Sequence, residues 1–359
     1  MKKELKVGII GCGGIANSKH MPSLVKLENV KIVAFCDIIL ERAEKAAKEF
    51  GTSDAKVYQN YQELLKDTSI DVIHVCTPNK SHADITIAAL KANKHVMCEK
   101  PMAKTAKEAR RMLEAAKRTD KKLTIGYQNR FREDSEYLHQ ACQRGDLGEI
   151  YFAKAHALRR RAVPTWGVFL NEEEQGGGPL IDIGTHALDL TLWMMGNYKP
   201  KTVMGNVYHK LGDQKNTANA WGDWDSKKFT VEDSAFGFIT MENGATIILE
   251  SSWALNTLDV GEAQTTLCGT KAGADMKQGL RINGVEFNKM YVKKPQFGAE
   301  GVDFYDGHSE TPADKEARMW IDAILKDTDP IVKPEEALVV TEILEAIYES
   351  AKTGKAIEF

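Results

Sequence analysis

Positive charge is not in surplus in this chain: 48 Lys and Arg stand against 51 Asp and Glu over 359 residues, a formal charge of −3. A nucleic-acid binder needs a basic face to neutralise phosphates, so that class is excluded. Long apolar runs are missing as well. None approaches the about 18 residues that a membrane helix requires, and mean hydropathy is −0.37. Cysteines are few and scattered, at positions 12, 36, 76, 98, 142 and 268. Three of them sit in strand-like apolar runs, and no spacing suits zinc or a disulfide frame, so reduced thiols in a cytoplasmic protein are expected. The start, Met1 to Leu5, is basic but runs into a glycine turn before a signal core forms, which fits the same location. There is no internal repeat and no low-complexity tract.

What is present is ample apolar material, 43% of residues, beside 28% charged ones. That length and composition favour two domains of roughly 100–200 residues each. The first third alternates two periods. Short apolar runs at 5–10, 30–36, 57–58, 71–76, 95–99 and 123–126 predict strands, separated by helical patterns at 15–27, 40–50, 61–66, 81–92 and 105–119. Such alternation predicts right-handed β-α-β crossovers and a mostly parallel sheet, whose ligands lie beyond the carboxyl ends of the strands.

Near residue 127 the rhythm changes. A helix over 131–144, a long strand over 149–160 and an amphipathic helix over 179–195 precede strands at 202–211, 229–241, 245–253, 262–268 and 282–292. Strands without intervening helices pair antiparallel, giving an α+β domain. Met241-Glu-Asn-Gly-Ala245 marks a hairpin turn, and helices over 312–325 and 335–352 close the chain. The expected fold class is therefore α/β. A mostly parallel α/β domain spans 1–126, and an α+β domain spans 127–359, whose last helix could return to the first. The irregular stretch 212–228, with Trp221 and Trp224, reads either as a loop over a site or as an ordered surface loop.

After the first strand stands Gly11-Cys12-Gly13-Gly14-Ile15-Ala16. Gly11 permits a tight turn, Gly13 admits a pyrophosphate to the backbone, and Ala16 brings the next helix close to the sheet. With Gly14 and Ile15 these positions form the candidate phosphate cradle. Asp37 ends the second strand, where a carboxylate accepts from ribose hydroxyls and repels a 2′-phosphate, favouring NAD over NADP. Two further strand ends carry Thr77-Pro78-Asn79, with His82 beyond, and Glu99-Lys100-Pro101. At the second, Lys100 would lie beside the nicotinamide end of a bound dinucleotide, where a cation stabilises an alkoxide. In the later domain, Asp182 and His186 are four apart on one helix, a spacing that lets a carboxylate orient an imidazole for proton transfer. A structural Asp–His pair and a metal site are the competing readings of that pair. The metal reading lacks a companion ligand cluster, so no metal is expected.

These pieces, with Gly126-Tyr127-Gln128-x-Arg130-Phe131, Gly176-Gly-Gly-x-Leu-x-Asp182-x-Gly-x-His186-x-x-Asp189 and the turn Gly269-Thr-Lys-Ala-Gly273, stand in an order that resembles the glucose–fructose oxidoreductase/inositol dehydrogenase (Gfo/Idh/MocA) family across essentially the whole chain. The resemblance implies a Rossmann domain followed by a domain with a large open, mostly antiparallel sheet that forms homodimers or homotetramers. It implies Lys100, Asp182 and His186 as the catalytic set at an interdomain cleft. It draws Thr77, Pro78, Asn79, His82, Glu99, Lys100 and Gln128 to the cofactor, and Tyr127, Arg159, Trp166 and Thr185, with the catalytic three, to the substrate. The activity it implies is reversible oxidation of a ring hydroxyl of a sugar, anhydrosugar or cyclitol to a ketone, with NAD as cofactor. The near-neutral charge, Arg159 to Arg161 excepted, favours a neutral polyol. Two alternatives stand beside it: an NAD-dependent glycoside hydrolase of the same family, and an NAD-binding regulator without catalysis.

Overall fold

Six short apolar runs in the first third become the six parallel strands of one sheet. The computed structural model describes residues 4–297 and 310–359, so the reading of residues 1–3 lies outside the described residues. The strands are β1 (Leu5–Ile10), β2 (Val30–Cys36), β3 (Lys56–Tyr58), β4 (Val72–Val75), β5 (His95–Cys98) and β6 (Leu123–Ile125). Their order is β3-β2-β1-β4-β5-β6, and all neighbours run parallel. The helices between them are α1 (Met21–Leu24), α2 (Leu40–Phe50), α3 (Tyr61–Leu65), α4 (His82–Lys91) and α5 (Ala106–Thr119). α5 begins at a reciprocal cap, in which the Thr105 hydroxyl accepts from the Glu108 amide and the Glu108 carboxylate accepts from the Thr105 amide, satisfying two otherwise orphaned donors. The order reverses between β1 and β4, so the crevice for a ligand lies at the carboxyl ends of those two strands.

The helix expected over 15–27 is shorter and wider than a regular α-helix. Ala16–His20 form a π-helical turn that runs into α1, with Pro22 in its first turn. Such turns are rare and concentrate at functional positions.

The later elements are α6 (Glu133–Gln143), β7 (Ile150–Leu158), α7 (Glu172–Gln175), α8 (Thr185–Met195), β8 (Pro200–Tyr208), β9 (Ser234–Met241), β10 (Thr246–Ser252), β11 (Gly261–Gly269), β12 (Ala272–Asp275), β13 (Arg281–Glu286), β14 (Lys289–Lys293), α9 (Pro312–Leu325), α10 (Pro334–Thr353) and β15 (Ile357–Glu358). Nine strands form a second sheet in the order β14-β13-β12-β11-β7-β10-β9-β8-β15. It is antiparallel except at its centre, where β10 runs parallel to β7. The expectation of antiparallel pairing fails there because the chain leaves β7, crosses through α7 and α8, and returns by the meander β8-β9-β10 to lie beside it. The hairpin at Met241 forms with Gly244 at φ +87°.

The helix expected to be amphipathic over 179–195 is a π-helical turn, Leu180–Gly184, continued by α8. α8 is buried nearly all round because β7 and β11 cover one side and α6 packs against it as well. Residues 229–233, expected in a strand, are irregular, and they carry the buried Val231, Glu232 and Asp233.

Contacts divide the chain into two compact units. One comprises the described residues up to Phe131 with Glu310–Leu338, and the other those from Arg132 with Val339–Phe359. In the first, Trp320, Ile321 and Ile324 of α9 join the apolar core around β1 and β2. The division falls inside α10.

Candidate active site

In the first unit the glycine turn is shaped by close approach on one side and open space on the other. Gly11 has φ +91°, and a Cβ there would stand 2.6 Å from the Cys76 carbonyl oxygen at the end of β4, so only glycine fits. At Gly13 and Gly14 a Cβ would meet nothing within 4 Å, which leaves backbone exposed at the start of the helical run. Asn17 holds the turn, donating to the carbonyls of Cys12 at 2.8 Å and Gly13 at 2.7 Å. Ala16 is fully buried, as close packing of that helix requires. Asp37 is buried at the end of β2, and its two oxygens accept from the amides of Cys12 at 2.9 Å and Ile39 at 2.8 Å. The carboxylate is thereby fixed against the turn. The Thr77 hydroxyl, at the end of β4, is buried without a hydrogen-bond partner. An open glycine cradle, a fixed carboxylate and an orphaned hydroxyl at the switch point fit a dinucleotide.

His82 is wholly buried with Nε2 2.9 Å from the Thr77 carbonyl and Nδ1 2.8 Å from that of Pro101. It staples the turn after β4 to the loop after β5, where Lys100 precedes a cis proline. Pro78 leads into a 3-10 turn over Asn79–Ser81. Lys100 and Gln128 are half-buried, Tyr127 is wholly buried, and Gln128 opens a 3-10 turn that ends at Phe131.

Glu99 turns inward. Its Oε1 accepts from Lys19 Nζ at 2.8 Å and lies 2.7 Å from His20 Nε2, while Oε2 accepts from the Lys100 amide at 3.1 Å. Lys19 also pairs with Glu316 at 2.8 Å, and His20 Nδ1 meets His74 Nδ1 at 2.9 Å. Burial raises the Glu99 pKa, but Lys19 and His20 outweigh it and hold the carboxyl well below its usual range. Burial, with His20 and Lys19 alongside, holds His74 well below the ordinary imidazole value. This network under Lys100 is not visible from sequence, because its members come from β4, α9, the end of β5 and the π-helical turn. The only signal was polar residues inside otherwise apolar runs.

In the second unit Asp182 lies in the π-helical turn and His186 and Thr185 in the first turn of α8. Thr185 and His186 are buried. Trp253, with no exposed surface, donates from Nε1 to Asp182 Oδ2 at 3.0 Å. The entry to this segment is held by a buried carboxylate. Glu232 accepts from the amides of Gly178 at 2.8 Å and Leu180 at 3.1 Å, and from the Tyr348 hydroxyl of α10 at 2.9 Å. A negative charge there satisfies orphan donors and complements the helix N-terminus. Burial nonetheless raises the Glu232 pKa. The glycine run is then explained by contact: a Cβ at Gly177 would sit 2.0 Å from the Tyr348 hydroxyl oxygen, and one at Gly178 2.2 Å from the Glu232 carbonyl oxygen. Arg159 forms a two-pronged pair with Glu262, both bonds 2.7 Å. Burial disfavours the Arg159 cation, and Glu262 and Asp182 outweigh it to raise its pKa. Trp166 is exposed and packs edge-on against Trp221. Trp253, Glu232 and Tyr348, which hold this segment, were missed. Trp221 lies in the 212–228 stretch, one of whose two readings was a loop over a site. No group of three or more metal-ligating side chains occurs among the described residues.

A sheet of this strand order, with that turn at its switch point and Asp37 at the end of the neighbouring β2, defines a dinucleotide-binding protein of the Rossmann class. Residues 5–127 match the model described as an oxidoreductase family with an NAD-binding Rossmann fold, and residues 136–275 match the GFO/IDH/MocA C-terminal domain. The chain belongs to the Gfo/Idh/MocA oxidoreductases, and its first sheet is their NAD-binding domain. It is 35% identical to the D-glucoside 3-dehydrogenase of Escherichia coli over 99% of this chain and 97% of that one. It is 32% identical to the inositol 2-dehydrogenase of Salmonella typhimurium over 55% of this chain and 56% of that one. The fold is that of levoglucosan dehydrogenase, solved with NADH and levoglucosan, at a TM-score of 0.83 and 20% identity, covering 99% of each chain.

Proposed function

We propose that this oxidoreductase removes a hydride from one ring carbinol of a neutral sugar, glycoside or cyclitol and leaves a ketone, reversibly. The observation that carries the reading is the Asp182–His186 segment, built onto Glu232 and Trp253, in a chain that is similar along its whole length to a D-glucoside 3-dehydrogenase. The first unit, up to Phe131 with Glu310–Leu338, is assigned to the cofactor, and the second to substrate and self-association.

The backbone of Gly11, Gly13, Gly14 and Ile15 would hold the pyrophosphate and Asp37 the ribose diol, with Thr77, Pro78, Asn79, His82, Glu99 and Gln128 shaping the rest of that site. When bound, NAD supplies the hydride acceptor. His186 takes the hydroxyl proton as the C–H bond breaks, Lys100 donates a hydrogen bond to the reacting oxygen, and Asp182 keeps the imidazole oriented and basic. In this proposal Lys100 and His186 serve the same proton transfer. Tyr127, Arg159, Trp166 and Thr185 complete the substrate set. Neutral substrates fit because Glu262 already pairs with Arg159 through two bonds of 2.7 Å.

A homodimer or homotetramer through the nine-stranded sheet is part of the proposal, supported by exposed Met204 and Phe238 on neighbouring strands. A cytoplasmic location is proposed as well, supported by six unpaired cysteines. No helix among the described residues is long and apolar enough to cross a membrane.

The test is a panel of neutral sugars, glucosides, cyclitols and sugar phosphates with NAD and with NADP, read by absorbance of the reduced cofactor. The expected result is reduction of NAD, in preference to NADP, by at least one neutral ring. NAD binding with no turnover on any of them would favour a regulator instead.

A further inference from the structure

Two of the largest apolar side chains stand open to solvent beside the proposed substrate wall, Trp166 at 52% and Trp221 at 44% exposure. Their ring centroids are 4.9 Å apart at 80°. They are not loose. The Thr165 hydroxyl donates to the Trp221 carbonyl at 2.7 Å, and the Ala220 amide donates to that of Arg161 at 2.9 Å. Asn219 closes the zipper, its Oδ1 accepting from the Val163 amide at 2.8 Å and its Nδ2 donating to the Val163 carbonyl at 2.9 Å. Phe169 packs edge-on against Trp166 from the other side, and Arg159 lies 5.3 Å over the Trp221 ring. The zipper is tied to Asp182, because Ala162 donates from its amide to the Trp253 carbonyl at 2.9 Å and the Trp253 indole donates to Asp182.

An exposed aromatic pair fixed in this way serves recognition, since solvent exposure of two indoles is otherwise unfavourable. Resting on the reading above, we propose that Trp166 and Trp221 form a stacking subsite for a second, uncharged ring carried on the glycosidic oxygen of the sugar being oxidised. One face of a pyranose presents C–H bonds to an aromatic ring while its hydroxyls point outward to polar groups, and an Arg159–Glu262 pair beside the indoles offers both a donor and an acceptor. A phosphate or carboxylate does not suit the spot, because Glu262 already holds the nearest guanidinium by two bonds. The loop 212–228 thus extends the substrate site beyond the reacting ring.

The test compares kcat/KM for a glucose disaccharide with that for methyl glucoside, in wild type, Trp221→Ala and Trp221→Tyr, together with tryptophan fluorescence during titration by the disaccharide without NAD. The expected result is a fall of about tenfold in the disaccharide-to-methyl ratio in Trp221→Ala, partial return in Trp221→Tyr, and a wild-type fluorescence change that Trp221→Ala diminishes. A ratio unchanged in Trp221→Ala overturns the subsite, as does a wild-type preference for glucose 6-phosphate over every neutral glucoside. If no sugar is oxidised at all, the functional reading fails by itself. The subsite is then judged on the titration, supported by a fluorescence change that depends on Trp221 and overturned by its absence.

Discussion

Asp182 accepts a hydrogen bond from an indole that has no access to solvent, so its carboxylate is held by a donor that cannot be replaced by water. Lys100→Ala and His186→Ala should each lower turnover by about 10²–10⁴-fold with little change in NAD affinity, and the double variant should lose little more than the worse single, because the proposed mechanism has both act on one proton. Asp182→Asn should shift the lower limb of the pH–rate profile toward lower pH, because an imidazole without its anion has a lower pKa. Retained turnover in both single variants would contradict these roles. A separate residue-scale expectation concerns His74, held neutral by burial. An imidazole with a depressed folded pKa contributes stability that is complete above its unfolded value of about 6.5 and is lost as pH falls towards the folded pKa. The melting temperature should drop on acidification below that value, and His74→Asn should flatten the slope; an unchanged slope would refute the assignment. The glycine turn, Asp37 and the Asp182–His186 spacing were legible because each is local in sequence. Trp253 was not, since it lies 71 positions from Asp182 and only the path of β10 brings it there.

At the scale of elements, the segment carrying Asp182 and His186 depends on glycines for a reason opposite to that at the phosphate turn. Gly178 is pressed by the Glu232 carbonyl, whereas a Cβ at Gly13 meets nothing. Gly178→Ala should therefore cost about 1–3 kcal/mol of stability through overpacking. Gly13→Ala should leave the melting temperature of the NAD-free protein nearly unchanged while weakening NAD binding. Thermal denaturation and calorimetric titration separate the two, and equal melting temperatures for both variants would contradict the packing argument. The existence of this helix was readable from its spacing. Its environment was not: a period of apolar residues cannot distinguish a helix with one covered face from one packed on several sides, and the Thr, His and Asp positions of α8 read as polar although they are buried. β12 and β15 escaped because Ala272–Asp275 and Ile357–Glu358 form no run of bulky apolar residues.

For the whole molecule, the parallel sheet was legible because strands and helices alternate in sequence, and β-α-β crossovers are almost always right-handed. The central parallel pair of the second sheet was not, since a return after more than 80 residues leaves no local mark. Across β8, β9 and β10, Met204, Phe238 and Ile248 stand in register, and Met204 and Phe238 are each 52% exposed. Burying such a row is worth about 25 cal/mol per Å². Light scattering should therefore give a multiple of 39.9 kDa, and Met204→Glu with Phe238→Glu should move it toward one chain mass. A wild-type mass of a single chain would remove the oligomer.

The claim on which the rest depends is that a ring C–H bond gives its hydride to NAD with net formation of a ketone. It is tested most directly with methyl glucoside, or the panel's preferred ring, carrying deuterium on every ring carbon, by mass spectrometry of the cofactor and the sugar after reaction with stoichiometric NAD. Each reduced cofactor should carry one deuterium, with one ketone formed per deuterium transferred. A cleaved glycosidic bond with the NAD unchanged, or reduced cofactor free of deuterium, would contradict it.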